Sequence, residues 1–250
     1  MHKRGRFTGV SLIVRFNWPL YAAALAVIVV SAFVVMFANG ALVKMSALIA
    51  LASAGWFLAG SLFASHIAYD CSDLHRGEWL TDALPQLPRH IAVCHCGYDE
   101  VSTLVRERLP DTALSILDHY DEATMSEPSI RRARRFQNGS GFQPAPHSSW
   151  PFGEGAFDSI LGVLAIHELR SHTGRAAWFS EARRCLAIGG RIVLVEHLRD
   201  FTNFAAFGPG FLHFHSAATW RRAWESAELR CADTFHIAPF IRVFVLNRHD

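Results

Sequence analysis

Three histidines stand where an imidazole could take part in proton transfer. His167 follows an apolar run, in the segment Ile166-His167-Glu168-Leu169, and is the first candidate for a general base; a cap on the following helix is the alternative. His213 and His215 share one face if the chain is extended there. Phenylalanines lie close to them, at positions 201, 204, 207, 211 and 214. This grouping favours a pocket for an apolar substrate, although core packing or a surface that dips into a bilayer is also consistent with it.

The segment Cys94-His95-Cys96 offers side chains that bind metals, with His213 and His215 as conceivable partners. Structural zinc sites, however, use cysteines separated by two to four residues, and no second pair completes the set. We therefore expect no metal ion at this segment or elsewhere.

Alternating apolar and amphipathic stretches from residue 89 onward predict the elements that position these side chains. The predicted strands are 91–94, 113–117, 157–164, 191–195, 231–237 and 240–246, and the predicted helices are 101–108, 127–136, 173–186 and 217–227. Glycine, proline and serine predict a loop over 138–155. Strands that alternate with helices predict an α/β fold, a doubly wound and mostly parallel sheet whose closing strand pair is antiparallel. Glu196 and His197 end one strand and could form an acid–base pair or face solvent.

Two long apolar runs precede this domain. Residues 19–37 are almost wholly apolar, and residues 45–68 contain only serines and His66 as polar interruptions. Each run reaches the ~20 residues that a helix needs to cross a bilayer. The sequence therefore predicts a basic N-terminal segment (1–17), a two-helix transmembrane hairpin (18–68) and a connector (69–88) before the domain at 89–250. A cleaved signal peptide or buried core helices are the alternatives, but a signal peptide is shorter and leaves the second run unexplained.

Charge and cysteine content indicate the compartment. Four cations precede the first run, at positions 3, 4, 6 and 15, whereas the link between the runs offers only Lys44. The positive-inside rule then places the N-terminus and the domain in the cytoplasm, in a multi-pass protein of a bacterial inner membrane. Five cysteines, an odd number, favour reduced thiols. The net charge of +2 argues against a nucleic-acid partner. Small residues at 54, 55, 59, 60 and 61 could let copies of the hairpin associate.

Several stretches resemble, in order, the class I S-adenosylmethionine-dependent methyltransferases. Residues 150–160 are similar to the loop and fourth strand of that family, and residues 166–169 to the start of its next helix. Residues 181–196, with Gly189 and Gly190, are similar to its helix, glycine turn and fifth strand. The resemblance spans residues ~89 to 247 and implies a Rossmann-like sheet and methyl transfer from S-adenosylmethionine. Residues 69–80, 97–102 and 127–134 also resemble a membrane-anchored bacterial group of methyltransferase-like proteins.

The resemblance implies a cofactor crevice at the carboxyl ends of the strands. The residues that fall there are His95, Cys96, Gly97, Asp118, His119 and Val163. Asp118 could accept hydrogen bonds from a ribose diol or could cap a helix. This sequence departs from the first glycine motif of the family, since only the middle glycine of that motif, Gly97, is present.

Two functions from different classes follow. The first is a membrane-anchored methyltransferase that uses S-adenosylmethionine and acts on a lipophilic acceptor from the bilayer, such as a lipid, quinone or isoprenoid. The second is a methyltransferase-like domain without catalysis that serves as a membrane-bound binding or scaffold module. Asp118 and Gly189-Gly190 favour the first, and the missing glycines around Gly97 favour the second.

Overall fold

The computed structural model describes residues 5–84, 86–137 and 141–248. It begins with two helices, α1 (Thr8–Phe37) and α2 (Ala41–His66), which pack side by side as a hairpin. Both are long and apolar enough to cross a membrane. Only 11% of the most apolar segment of the first helix is buried, and only 17% of that of the second. A helix in a protein core would bury far more of its apolar surface, whereas most of the apolar surface of this hairpin is exposed.

Helix α1 bends near its first third. Asn17 has non-helical torsion angles (φ −115°, ψ 19°), and Pro19 lies two residues later. Proline has no N–H to donate and its ring crowds the carbonyl four residues back, so the helix kinks there. The Asn17 side-chain amide donates to the carbonyl of Ile13 at 3.2 Å. The bend separates residues 8–16 from the apolar run that the sequence predicts at 19–37.

The start of α1 is held by a carboxylate from beyond α2. Asp70 accepts hydrogen bonds from the backbone N–H groups of Gly9 (2.6 Å) and Val10 (3.1 Å). Negative charge at a helix N-terminus is favourable because the first N–H groups have no partner in the helix. Residues 8–16, the part of α1 before the bend, therefore pack against the domain.

A connector of short helical turns leads from α2 into the sheet. It consists of a π-helical turn (Ile67–Cys71), a 3-10 turn (Asp73–His75) and helix α3 (Trp79–Ala83). Leu74, Trp79 and Leu80 are buried against one face of the sheet. This segment is thus part of the core.

The centre of the domain is a seven-stranded sheet. Its strands are β1 (His90–His95), β2 (Ala113–Asp118), β3 (Phe142–Pro144), β4 (Phe157–Val163), β5 (Leu186–His197), β6 (Leu229–Ala238) and β7 (Ile241–Arg248). They lie in the order β3-β2-β1-β4-β5-β7-β6. The first five are parallel, whereas β7 is antiparallel to both β5 and β6. The predicted doubly wound, mostly parallel α/β sheet with an antiparallel closing pair is confirmed.

Helices cover both faces of the sheet. They are α4 (Ser102–Arg108), α5 (Pro128–Arg134), α6 (His172–Cys185), α7 (Phe201–Phe207) and α8 (Ala217–Glu225). Two elements differ from the sequence prediction. Strand β3 lies inside the segment predicted as loop, where Pro144 is tolerated because β3 is an edge strand. Helix α7 occupies part of the phenylalanine-rich stretch, and the Asp200 carboxylate accepts the Asn203 N–H at its N-terminus.

Helix α7 joins the domain to the hairpin. The indole N–H of Trp56 donates to the carbonyl of Ala205 at 2.9 Å. A methyl group at Gly60 would lie 3.1 Å from the carbonyl oxygen of Ala206, so the absence of a side chain lets the two helices approach closely. Gly60, one of the small residues considered for self-association, therefore serves this internal contact.

Candidate functional site

A cavity of about 630 Å³ lies between the carboxyl edge of the sheet and the hairpin. Cys96, Gly97, Leu164 and Ala165 line it from the strand ends, while Phe16, Leu20, Tyr21, Phe57 and Ser61 line it from α1 and α2. The lining is mostly apolar, and polar side chains gather where His167, Glu168 and His213 meet. A volume of this size suits a small molecule. The sequence alone did not predict that hairpin residues line the cavity, because contacts between distant segments leave no pattern in the local sequence.

The His167 ring is oriented by a buried carboxylate at the end of β5. Its Nδ1 lies 2.7 Å from Oε2 of Glu196, and its backbone N–H donates to Oε1 of the same side chain at 3.1 Å. Glu196 is fully buried. Since a carboxylate accepts, the Nδ1–H donates to Glu196, and Nε2 faces Oε1 of Glu168 at 3.7 Å. A base oriented by a third group is the arrangement that proton transfer and metal binding both use.

The considered acid–base pair of Glu196 with His197 does not form among the described residues, because successive side chains of a strand point to opposite faces. His197 instead donates from Nδ1 to the Phe240 carbonyl at 2.8 Å, and its Nε2 accepts the Tyr69 hydroxyl at 3.0 Å. Burial lowers the pKa of His197 to about 4. His197 lines the cavity as a neutral imidazole.

His213 lies between two carboxylates. Its Nδ1 is 3.2 Å from Oε2 of Glu127, and its Nε2 is 3.6 Å from Oε1 of Glu168. Burial lowers the pKa of His213, but the two carboxylates outweigh burial and raise it to about 9. The rings of His167 and His213 are 5.0 Å apart. Two of the three predicted catalytic histidines therefore meet at one end of the cavity, and their catalytic role stays a prediction.

His215 does not line the cavity. Its Nε2 lies 3.1 Å from the Arg175 guanidinium, and its ring packs edge-on against Trp220. Burial, followed by the positive charge of Arg175, lowers the pKa of His215 to about 3. The 3-10 turn Gly208–His213 ends before this residue, so His213 and His215 do not share the extended face that the sequence analysis considered.

The predicted cofactor crevice is covered by helix α5. Asp118, at the end of β2, binds the Arg134 guanidinium through both carboxylate oxygens, at 2.9 and 3.2 Å. Arg134 also stacks over the Tyr120 ring at 4.2 Å. A methyl group at Gly97 would lie 2.6 Å from Cγ1 of Ile130. The residue types suit a cofactor here, but a ribose would have to compete with Arg134 for Asp118.

The remaining predicted cofactor residues are buried. His95 is 2% exposed and Cys96 1%, and Val163 lies inside the parallel sheet. His119 donates from Nδ1 to the Ala145 carbonyl at 2.8 Å and stacks on Trp150. Burial lowers the pKa of His119 to about 4. In this arrangement these side chains support the walls of the crevice, and their role in cofactor binding stays a prediction.

Comparison with known proteins adds to this geometry. No protein-family model matches the sequence, and no curated protein matches it. Solved structures do match: a methyltransferase from Aquifex aeolicus described as dependent on S-adenosylmethionine is 10% identical, with 76% of this chain and 96% of that chain covered at a TM-score of 0.54. A second such methyltransferase, from Methanosarcina mazei, is 14% identical, with 68% and 97% covered at 0.51.

A third similar structure is geranyl diphosphate C-methyltransferase from Streptomyces coelicolor A3(2), in complex with Mg²⁺, geranyl diphosphate and S-adenosylhomocysteine. It is 15% identical, with 74% of this chain and 84% of that chain covered at a TM-score of 0.50. At these identities the shared property is the fold. The domain has the class I methyltransferase fold, as the sequence predicted.

Three carboxylates surround the histidines at the polar end of the cavity, and of these the sequence suggested a role only for Glu196, as a partner of His197 and not of His167. Glu168 directly follows His167 in the sequence, and this position next to a candidate base was the signal that could have identified it. Glu127 precedes α5, and Glu196 lies 29 residues after His167. No spacing rule links these positions, because the sheet and not the local chain brings them together.

Proposed function

We propose that this protein is a membrane-anchored methyltransferase that uses S-adenosylmethionine and acts on a lipophilic acceptor. The observation that carries the proposal is the cavity, which is bounded by the strand ends of a methyltransferase fold on one side and by an apolar hairpin on the other. An acceptor that dissolves in a bilayer would meet the protein at that boundary. The acceptor is thus a lipid, quinone or isoprenoid in this proposal.

Membrane insertion of α1 and α2 is the first step of the argument. Their large apolar side chains are mostly exposed, and each helix has the length to span the hydrocarbon core. A lipid environment would remove that surface from water. The cations before the first run favour a cytoplasmic N-terminus and domain.

The shape of the cavity supports the second step. Phe16, Leu20 and Phe57 offer apolar contacts to a hydrocarbon portion, whereas the His167 end offers hydrogen-bonding groups to a polar head. Such a division orients a molecule with one apolar and one polar end. Orientation is the main requirement of methyl transfer, since the nucleophile must approach the methyl group in line.

S-adenosylmethionine would supply the methyl group when bound. Gly97 and Asp118 are the residues of this chain that fit its amino-acid and ribose portions by position, provided that Arg134 gives up Asp118 and Ile130 moves from Gly97. His167 would orient the acceptor at the polar end, with Glu196 holding its ring.

A second candidate function is a membrane-bound binding or scaffold module without catalysis. The observation that favours it is the closed crevice, where Arg134 holds Asp118 and Ile130 covers Gly97. A protein that never binds the cofactor has no need to open this crevice.

Calorimetric titration of the detergent-solubilised protein with S-adenosylmethionine and S-adenosylhomocysteine separates the two. The methyltransferase proposal expects saturable binding that Asp118→Asn abolishes while circular dichroism stays unchanged. Absence of binding at millimolar ligand, by both the wild type and an Arg134→Gln variant with a free Asp118, would reject the proposal in favour of the binding module. If binding is found, methyl-labelled cofactor and lipid extraction from native membranes then identify the acceptor.

A further inference from the structure

Three side-chain atoms at the polar end of the cavity are spaced as the ligands of one metal ion would be. Oε1 of Glu168 is 3.7 Å from Nε2 of His167 and 3.6 Å from Nε2 of His213, and each of the three residues offers a ligand atom within 4.8 Å of those of the other two. Ligand bonds of about 2.1 Å in a tetrahedral site place two donors about 3.4 Å apart. A small shift of side chains would bring all three onto one ion.

The other nitrogen of each histidine already carries the partner that metal-bound histidines have. Nδ1 of His167 is 2.7 Å from Glu196, and Nδ1 of His213 is 3.2 Å from Glu127. A carboxylate at Nδ1 fixes the tautomer and turns the Nε2 lone pair toward a metal. The same arrangement at both rings is therefore an independent observation in favour of a metal ligand set.

Charge leads to the same conclusion. Three carboxylates, those of Glu127, Glu168 and Glu196, surround the two imidazoles, so negative charge exceeds positive charge whichever way the imidazoles are protonated. Arg170, a nearby cation whose charge also acts on Glu127, donates its hydrogen bonds to the backbone carbonyls of His167 and His213. It ties the two histidine segments together, and Glu168, whose Oε1 faces Nε2 of both rings, is the carboxylate placed to meet a cation in the cavity.

We propose that His167, Glu168 and His213 bind a divalent transition-metal ion whose open positions face the cavity. Two imidazoles with one carboxylate suit zinc or iron and disfavour magnesium and calcium, which prefer oxygen ligands. This replaces the sequence-based expectation of no metal, which considered the Cys94-His95-Cys96 motif. The ion would bind the polar group of an acceptor, a use that rests on the proposed function; metal binding itself does not.

The competing explanation is an ion-pair cluster in which a protonated His213 bridges Glu127 and Glu168 without metal. It predicts no binding of transition metals at stoichiometric concentration. Cobalt(II) separates the two, because coordination by protein donors in a site of low symmetry makes its visible bands stronger and shifts them from those of aqueous cobalt(II), and zinc reverses the change by competition.

The test uses full-length protein in detergent, freed of any histidine tag, stripped with a chelator and titrated with cobalt(II). We expect one equivalent to bind, and binding to be lost in His167→Gln, His213→Gln and the isosteric Glu168→Gln. Glu196→Gln should weaken binding about 10- to 100-fold, since it removes the partner of a ligand. His172→Gln, which changes an exposed histidine outside the cavity lining, is the matched control and should bind as the wild type does.

Folding of each variant is checked by circular dichroism and thermal unfolding. Wild-type protein that binds neither cobalt nor zinc overturns the proposal, as does undiminished binding by the folded Glu168→Gln variant. Because the titration contains no S-adenosylmethionine, its failure leaves the proposed methyltransferase function standing, and a failure of cofactor binding leaves the metal site standing.

Discussion

Two regions at the same edge of the sheet differ sharply. Around Asp118 the carboxylate is paired with Arg134 of α5 within the protein, and Gly97, which packs against Ile130 of the same helix, lies between this region and the cavity that it also lines. Around His167 the cavity is open, and its polar groups face one another across it. The difference shows that the fold alone does not decide which part of the sheet edge is available to ligands. Helix α5, which follows β2, decides it.

Loss of His167 should have the largest effect. We expect His167→Ala to reduce methyl transfer to extracted lipid about 100-fold or more, because an oriented histidine at a reacting centre contributes at least that factor. Titration should show cofactor binding unchanged, since His167 belongs to the open region. His172→Gln is the control. Equal loss of cofactor affinity in His167→Ala would show that the two regions are one site.

The closed region should lose stability in acid. Burial lowers the pKa of His119 to about 4, below its ordinary value of 6.5. Between these pH values the unfolded chain takes up the proton and the folded chain does not, so the free energy of unfolding falls as pH drops from about 6.5 to about 4. This group contributes at most about 3 kcal/mol to that fall.

The measurement is denaturant unfolding in detergent at several pH values, followed by tryptophan fluorescence. His119→Asn keeps a donor for the Ala145 carbonyl but does not titrate, so its unfolding free energy should change less with pH. A pH dependence identical to that of the wild type would show that His119 is not buried as described. The exposed His172→Asn should leave the dependence unaltered.

Opening the closed region should have a moderate effect on ligand affinity. Arg134→Gln frees Asp118 from a charged partner, and a hydrogen bond to a charged group contributes about 1.5 kcal/mol or more. We expect the dissociation constant for S-adenosylhomocysteine to fall about 10-fold, as measured by calorimetry. Arg131→Gln, on the same helix but without contact to Asp118 among the described residues, is the matched control. Weaker binding by Arg134→Gln would mean that Arg134 itself holds the ligand.

The smallest effect concerns the junction of hairpin and domain. Trp56→Phe removes the indole hydrogen bond to Ala205, and we expect a loss of stability of about 1 kcal/mol, the net contribution of a typical intramolecular hydrogen bond. Differential scanning calorimetry of the solubilised protein measures it. A loss of several kcal/mol would indicate that the position of the hairpin against the cavity depends on this single hydrogen bond.

Much of the fold could be predicted because its signals are local. The apolar runs of β1 and β4 and the two apolar runs of the hairpin identify their own elements. Gly189, with φ 76°, lies within β5, in the irregular stretch between the pairing of Leu186 with Phe157 and that of Arg191 with Ser159. Strand β3 has three residues and one proline, so it leaves almost no pattern, and α7 lies in a stretch whose phenylalanines suggested a pocket.

The candidate site was only partly predictable, for a physical reason. His167 and His213 could be named from residue type and position. Their partners could not, because Glu196 and Glu127 reach them through the packing of separate elements. The same holds for Arg134, which takes Asp118 from 16 positions away. Pairing between distant charges depends on the tertiary structure, and the sequence near each residue carries no record of it.

The bend at Pro19 limits the length of α1 that can lie within a bilayer. Nineteen residues follow it in α1, from Pro19 to Phe37, and at 1.5 Å each they extend about 28 Å, close to the ~30 Å of a hydrocarbon core. On the proposed topology the bend then marks the level of the lipid headgroups. The cavity is lined by residues on both sides of the bend, Phe16 and Leu20 among them, so on that topology it extends across this level. A lipid tail could stay in the bilayer while its headgroup is presented to the domain.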